Sequence, residues 1–356
     1  MSALTTMNSK ISAIFYTANT HLRNYENKIP FGFRWIINLI EYIFTLLLFI
    51  SLIIRYVWNH TINPLLSRFN IPIIPKYPLV SFQNDTVLIT GAGGCLGHAL
   101  AIEFAREARC LALLDIQKRP LDDLKHSLQQ IYGKEHCRIY TYRCDLSDLN
   151  ALKFTMTTIR EDLGDNISVL INCAATAHFK DIMSHTDDEY QDTFIINTLA
   201  PIFITKDLLG GMLARNHGHI VNIVSSEALS GSAFTSSYSS SKAALLNFTE
   251  SLSQELILAK ATGVRVTAVL PFYLDGGIYT TLRKYGKEKV LGITPKRFNV
   301  AASEIMCGLK SGNSPIYLPS LPLRVTSFLH AILPDDIWNP LLLYVLGRRP
   351  TFVNQH

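Results

Sequence analysis

The sequence predicts an α/β fold, a doubly wound parallel sheet preceded by a helix long enough to cross a membrane, and three observations predict it. Short apolar runs (Val87 to Thr90, Cys110 to Leu114, Ser168 to Ile171, His219 to Val224) alternate with helical patterns as far as Leu270. That rhythm belongs to a parallel sheet covered on both faces. The first run leads directly into Gly91-Ala-Gly-Gly-Cys-Leu-Gly97 and then a helical pattern through Arg106. Far upstream, Trp35 to Ile54 is apolar for about 20 residues, enough as a helix to span a ~30 Å hydrocarbon layer.

The amino-terminal segment, residues 1–34, is polar with scattered aromatics and no periodic pattern. Residues 35–57 are read as a membrane anchor whose apolar core carries Glu41 as its single charge. A secretory signal is disfavoured because the stretch starts far from Met1 and has no small-residue cleavage site before Arg55. Its apolar residues surround the whole helix, unlike the stripe of a core helix. Arg23, Lys28 and Arg34 flank one side and Arg55, Arg68 and Lys76 the other, so the charges give no orientation. A spanning helix, a hairpin and a shallow insertion all stay open. Residues 58–84 hold Pro64, Pro72, Pro75 and Pro78 and read as a linker along the membrane surface.

Composition agrees with a membrane-associated protein. Charged residues are 17% of the chain, below the usual ~25%, and hydrophobic residues are 48%, so some apolar surface is expected to meet lipid. The net charge of +5 is dispersed, and without a basic patch it argues against nucleic acid as a partner. Six cysteines without Cys-x-x-Cys spacing read as reduced core residues of a domain facing the cytosol. No His/Cys/Asp spacing suggests a metal.

The catalytic domain is read as residues 85–320. In it, the strand, glycine turn and helix at 87–106 would bring backbone N–H groups at a helix N-terminus to a pyrophosphate. Asp115, at the end of the second apolar run, is placed to bond ribose hydroxyls and to repel a 2′-phosphate. Lys118 and Arg119, just beyond and followed by Pro120, read as a solvated turn. Ser168 to Ile171 ends in Asn172-Cys-Ala-Ala175, small residues that a ligand can pass, and a helical pattern from about Glu189 to Leu213 carries Asn197. An amide buried there needs partners, structural or in a proton path.

Tyr238 and Lys242 stand at i and i+4, on one face of a helix. A cation about 4 Å from a phenol at an effective dielectric of ~20 is worth roughly 4 kcal/mol, about three pKa units, which would bring a phenol of pKa ~10 to neutrality. Tyr238 would then serve as general acid and base. Ser225 ends the run His219 to Val224 and would hold a substrate hydroxyl or carbonyl.

Over residues 84 to 280 these features resemble the short-chain dehydrogenase/reductase family, whose fold is Rossmann-like. The family's Thr-Gly-x-x-x-Gly-x-Gly motif falls on Thr90, Gly91 and Gly97, with Cys95 at the middle glycine; Gly93, Gly94 and Leu96 complete the loop. Its adenine-side Asp falls on Asp145, next to Leu146. Its Asn-Asn-Ala-Gly motif is partly met at Asn172, and its helix Asn falls on Asn197. The catalytic Ser, thirteen residues before the Tyr, is Ser225 rather than Ser226, and Tyr238 and Lys242 complete Tyr-x-x-x-Lys.

The anchor, Asp115 and the stretch Pro271-Phe-Tyr-Leu-Asp-Gly-Gly277 look like the membrane-bound branch with retinol dehydrogenases and lipid-droplet 17β-hydroxysteroid dehydrogenases. Gly276 stands where that branch usually has Thr. The resemblance implies an oxidoreductase that interconverts a lipophilic alcohol (retinoid, steroid or long-chain alcohol) and its carbonyl with NAD(H), in preference to NADP(H). Lys242 would lower the Tyr238 pKa and bond the nicotinamide ribose, and Asn197 would hold a water linking Lys242 to solvent. It also implies residence at the endoplasmic reticulum or lipid droplet, with the catalytic domain in the cytosol. The alternative is a scaffold at the same membranes that keeps the fold and has weakened catalysis. Leu274 to about Val300 would form a lid, with Ile278, Tyr279, Leu282, Tyr285, Val290, Leu291 and Phe298 suiting an apolar substrate. Residues 321–356 form an apolar extension, expected to pack on the membrane or on a second copy in a homodimer.

Overall fold

The computed structural model describes residues 80–133, 136–278, 280 and 295–346. The expected anchor, and Tyr279, Leu282, Tyr285, Val290 and Leu291 of the expected lid, lie outside them. The last residues of the expected linker belong to the domain instead. Val80 N–H donates to the Lys310 carbonyl at 2.9 Å, and Phe82 is fully buried, edge-on to Phe104 at 5.1 Å. An aromatic of that size fills core volume, which the proline spacing did not reveal.

Among the described residues seven parallel strands make one sheet: β1 (Thr86–Thr90), β2 (Cys110–Asp115), β3 (Arg138–Arg143), β4 (Ile167–Asn172), β5 (Gly218–Ile223), β6 (Val264–Pro271) and β7 (Ile316–Leu318). Their spatial order is β3-β2-β1-β4-β5-β6-β7. The chain therefore reverses its direction of travel between β1 and β4, and open α/β sheets bind ligands in the crevice at such a point. The helices are α1 (Cys95–Ala105), α2 (Lys118–Tyr132), α3 (Leu149–Leu163), α4 (Asp187–Phe194), α5 (Ala200–Arg215), α6 (Ser236–Leu258), α7 (Phe298–Lys310), α8 (Ser320–Ile332) and α9 (Asp335–Leu346).

Strand periodicity explains why both faces are covered. In β1, Val87 and Ile89 enter one core layer with Leu100 and Phe104 of α1, Leu124 of α2 and Ile305 of α7. Leu88 enters the other, with Ile159 of α3, Ile204 of α5 and Leu252 of α6. Successive side chains of a strand point to opposite faces, so a strand buried on both must be apolar throughout. Each fully buried aliphatic side chain contributes roughly 1.5–3 kcal/mol.

The continuous run Asp187–Arg215 is, among the described residues, the helix long and apolar enough to cross a membrane. Its Ala200, Ile204 and Met212 pack against the sheet, and 33% of its apolar window is buried. Lys118 and Arg119 open α2 rather than forming a turn, because Pro120 in the first helical turn gives up an N–H that has no partner there anyway. Both stay exposed, and Arg119 lies 3.9 Å from Asp123. Of the cysteines read as core, Cys95 and Cys307 are exposed. The carboxy-terminal extension forms α8 and α9, burying Leu323, Trp338 and Leu346 while Phe328, Ile332, Ile337 and Leu343 face outward.

Candidate active site

A cleft of ≈ 440 Å³ opens at the carboxyl ends of β1, β2, β4 and β5. Of the residues singled out in the sequence, Gly91, Gly93, Gly94, Cys95, Leu96, Gly97, Asp115, Asp145, Leu146, Tyr238, Lys242 and Pro271 line it. Thr90, Asn172, Asn197 and Ser225 are not on its wall; all four are buried behind it.

The glycine loop is shaped by close backbone approach. Gly91 adopts φ +68°, and a Cβ there would stand 2.7 Å from the Ala174 Cα; a Cβ on Gly97 would stand 2.1 Å from the Gly91 carbonyl oxygen. No larger residue fits either place. Gly94 caps α1 without a side-chain bond to its first-turn N–H groups. An uncapped helix N-terminus at a flat glycine turn suits a pyrophosphate, so the residues present fit a dinucleotide. Cys95 is the first residue of that helix, and it is exposed and lines the cleft.

Hydrogen bonds fix the surrounding groups. Asp115 accepts from Gly93 N–H at 3.0 Å and from Gln117 N–H at 2.9 Å, which orients its carboxylate at the cleft edge. Asp145 accepts from the backbone and hydroxyl of Ser147 at 2.9 and 2.7 Å. Thr90 Oγ1 accepts from Cys173 and Ala174 N–H at 3.1 and 3.2 Å, tying the end of β1 to the loop after β4. Asn172 sits deeper, donating at 2.8 Å to Asn222 Oδ1, and Asn222 donates at 2.8 Å to Thr249. These two are supports of the cradle; their side chains do not line it.

Tyr238 and Lys242 share a buried face of α6, with Lys242 Nζ 6.0 Å from the Tyr238 ring centroid. Two serines beside them bond back to their own helix: Ser239 to the Thr235 carbonyl at 2.8 Å and Ser241 to that of Tyr238 at 2.8 Å. Small side chains let this turn pack tightly into the protein, with Ser237 buried there and its hydroxyl unpartnered. Lys242 donates to the Ile223 carbonyl at 2.8 Å, and burial lowers its pKa to about 8. At the cleft floor burial pushes the Cys173 thiol up to about 12, against the pull of Lys242, so the thiol stays neutral. Ser225 is fully buried in extended backbone at the end of β5, its Oγ accepting from Glu227 N–H at 3.2 Å.

Several contributors escaped the sequence reading. Phe179 packs edge-on to Tyr238, 5.9 Å between centroids. Thr176 and Ser241 bind the side chain of Asn197, which lies in a π-helical turn, Ile195–Leu199, between α4 and α5. A helical register that changes for one turn leaves no mark on apolar periodicity, and such turns concentrate at functional sites. Gly276 and Gly277 have φ +128° and +59°, backbone that strains a threonine, so the departure at Gly276 belongs to this loop's conformation.

Residues 85–287 match the family described as short chain dehydrogenase. Retinol dehydrogenase 10-B of Danio rerio is 31% identical over 272 residues, covering 72% of this chain and 80% of the relative. Estradiol 17-beta-dehydrogenase 11 of Pongo abelii is 31% identical over 255 residues, 72% of this chain and 81% of the relative. Among solved structures, a short chain dehydrogenase/reductase from Burkholderia phymatum in complex with NAD aligns with a TM-score of 0.63 at 20% identity, covering 78% of this chain and 100% of that one. One from Sphingobium yanoikuyae in complex with NADPH aligns at 0.59 and 22% identity, covering 76% and 98%. These structural matches show the shared fold, and the fold accommodates either cofactor.

Proposed function

This chain belongs to the short chain dehydrogenase family of oxidoreductases, and we propose that within it the protein interconverts a lipophilic alcohol and its carbonyl at a membrane, using NAD(H). The observation that carries the reading is the buried Tyr238–Lys242 pair facing the cleft whose other end is the uncapped glycine turn. Bound there, the nicotinamide supplies or accepts the hydride.

The chain's own residues handle the proton and the geometry. Tyr238 takes the hydroxyl proton in oxidation and returns it in reduction. Lys242, held by the Ile223 carbonyl, keeps positive charge beside the phenol and bonds the nicotinamide ribose. Ser225, steadied by Glu227 N–H, is assigned the substrate oxygen by its spacing from Tyr238; at 0% exposure it must open to the cleft when substrate binds. Asn197 supports the site by bracing the loop after β4. Both its amide hydrogens are used, on the Thr176 carbonyl and Ser241, so its side chain braces that loop beside its proposed part in the water link from Lys242 to solvent. Asp115 favours NAD(H) over NADP(H) through its charge at the ribose. Leu96, Leu274, Ile278 and Phe298 provide the apolar wall that supports a retinoid, steroid or long-chain alcohol.

Anchoring by residues 35–57 and the outward apolar residues of α8 and α9 would place the enzyme at the endoplasmic reticulum or lipid droplet. The test is incubation of the membrane-bound protein with NAD and retinol, estradiol or a long-chain alcohol. NADH formation with one of them is expected. NAD binding without turnover of any of them overturns the catalytic reading and favours a scaffold, for which Cys95 in the cradle is the supporting feature.

A further inference from the structure

In their proposed roles the hydroxyl of Ser225 and the phenol of Tyr238 meet one substrate oxygen, yet they belong to different elements, two residues past β5 and in the first turn of α6. Their separation is set by the segment between them. That segment is cross-linked from within, since the hydroxyls of Ser232 and Thr235 lie 2.7 and 3.1 Å from Glu227 Oε2. At its far end Ser236 Oγ lies 2.5 Å from the Tyr190 hydroxyl of α4. Its middle is held from the carboxy-terminal extension: Trp338 of α9, 3% exposed, donates its indole N–H to Ser230 Oγ at 3.0 Å, and its ring faces His330 of α8 at 5.1 Å. A second contact runs in parallel. Arg324 of α8 lies 5.0 Å over the ring of Tyr317, and Tyr317 packs on the same apolar cluster as Ala228 and Leu229, which follow Ser225.

We infer that Trp338 is a positioning residue for the alcohol–carbonyl reaction, and that the α8–α9 pair braces the Ser225–Tyr238 segment through it. The inference rests on the proposed roles of Ser225 and Tyr238. A buried indole N–H needs an acceptor, and it finds one on the segment that spaces the two catalytic hydroxyls. Releasing it frees the middle of that segment while the glycine turn, Asp115 and Lys242 keep their own partners, so the defect falls on the chemical step. Misplacement of reacting groups by as little as ~1 Å can cost on the order of 10² in rate, and the remaining ties through Glu227 and Tyr190 limit the loss.

The test uses full-length protein with Trp338→Phe, which keeps the ring and removes the N–H, Ser230→Ala, which removes the acceptor, and the double variant. The substrate is the alcohol among retinol, estradiol and dodecanol that the parent oxidises fastest. Each single variant is expected to lose roughly two- to tenfold in kcat, the scale of one hydrogen bond, and the double variant no more than the worse single. The NADH dissociation constant should be unchanged, and the pH midpoint of kcat should keep its value. Unchanged kcat in both singles, additive losses in the double, or a kcat loss accompanied by an equal loss of NADH affinity overturns the inference. A parent that binds NADH and oxidises none of the three alcohols overturns the proposed function, and this inference with it. An active parent with indifferent variants overturns the inference alone.

Discussion

Asn197 clasps the peptide of Thr176 on both sides, accepting from its N–H at 2.8 Å and donating to its carbonyl at 2.9 Å, while its second amide hydrogen reaches Ser241 Oγ at 3.0 Å. One side chain thus joins the π turn between α4 and α5, the loop after β4 and helix α6. Asn197→Leu keeps the volume and leaves those groups without partners. A buried polar group left unpaired costs about 1–3 kcal/mol, and the variant should lose at least that much stability in urea unfolding, together with turnover. A variant within 0.5 kcal/mol of the parent would mean that Asn197 is not a strut.

In the proposed reading, cofactor choice turns on Asp115. Its carboxylate is held at the cleft edge by Gly93 and Gln117, while Lys118 and Arg119 point to solvent from the first turn of α2. A 2′-phosphate there meets like charge, a cost of order 1–4 kcal/mol or a factor of roughly 5 to 1000. The parent should favour NAD in kcat/KM, and Asp115→Ser should shrink that preference. A parent that prefers NADP, or a ratio that does not move, would pass the decision to Lys118 and Arg119.

Burial of Lys242 has a measurable price in stability. Its folded pKa of about 8 lies below the usual 10.5, so the cost of burying the ammonium is present in full below pH 8. It is relieved as pH rises from about 8 to 10.5, where the unfolded chain still holds the proton and the folded one does not. Lys242→Met removes the charge and also the hydrogen bond to Ile223, so relief of the buried charge favours the variant near pH 7. The variant's advantage should shrink as pH approaches 10.5 while catalysis is lost throughout. An advantage independent of pH would show that the ammonium is not desolvated.

The sheet was legible because strands buried on both faces leave unbroken apolar runs, and Val87 to Thr90 and Cys110 to Asp115 mark β1 and β2 almost to the residue. The cradle was legible too, since Gly91 and Gly97 are demanded by contacts under 3 Å. Contacts between distant segments were not: Trp338 reaches Ser230 across 108 residues, and Phe179 meets Tyr238 from a loop with no periodic signature. Thr90 and Asn172 carry a motif position without lining the cleft, because a motif records the supports of a site along with its surface.

The central claim, that Tyr238 carries the proton in an NAD-dependent alcohol–carbonyl conversion, is tested most directly by turnover of Tyr238→Phe measured beside its NADH affinity. General acid–base groups typically supply ~10² to 10⁴ in rate, and the phenyl ring preserves the edge contact with Phe179. The account predicts a fall in kcat of at least ~10² with NADH binding retained. A variant that turns over at the parent's rate would contradict it.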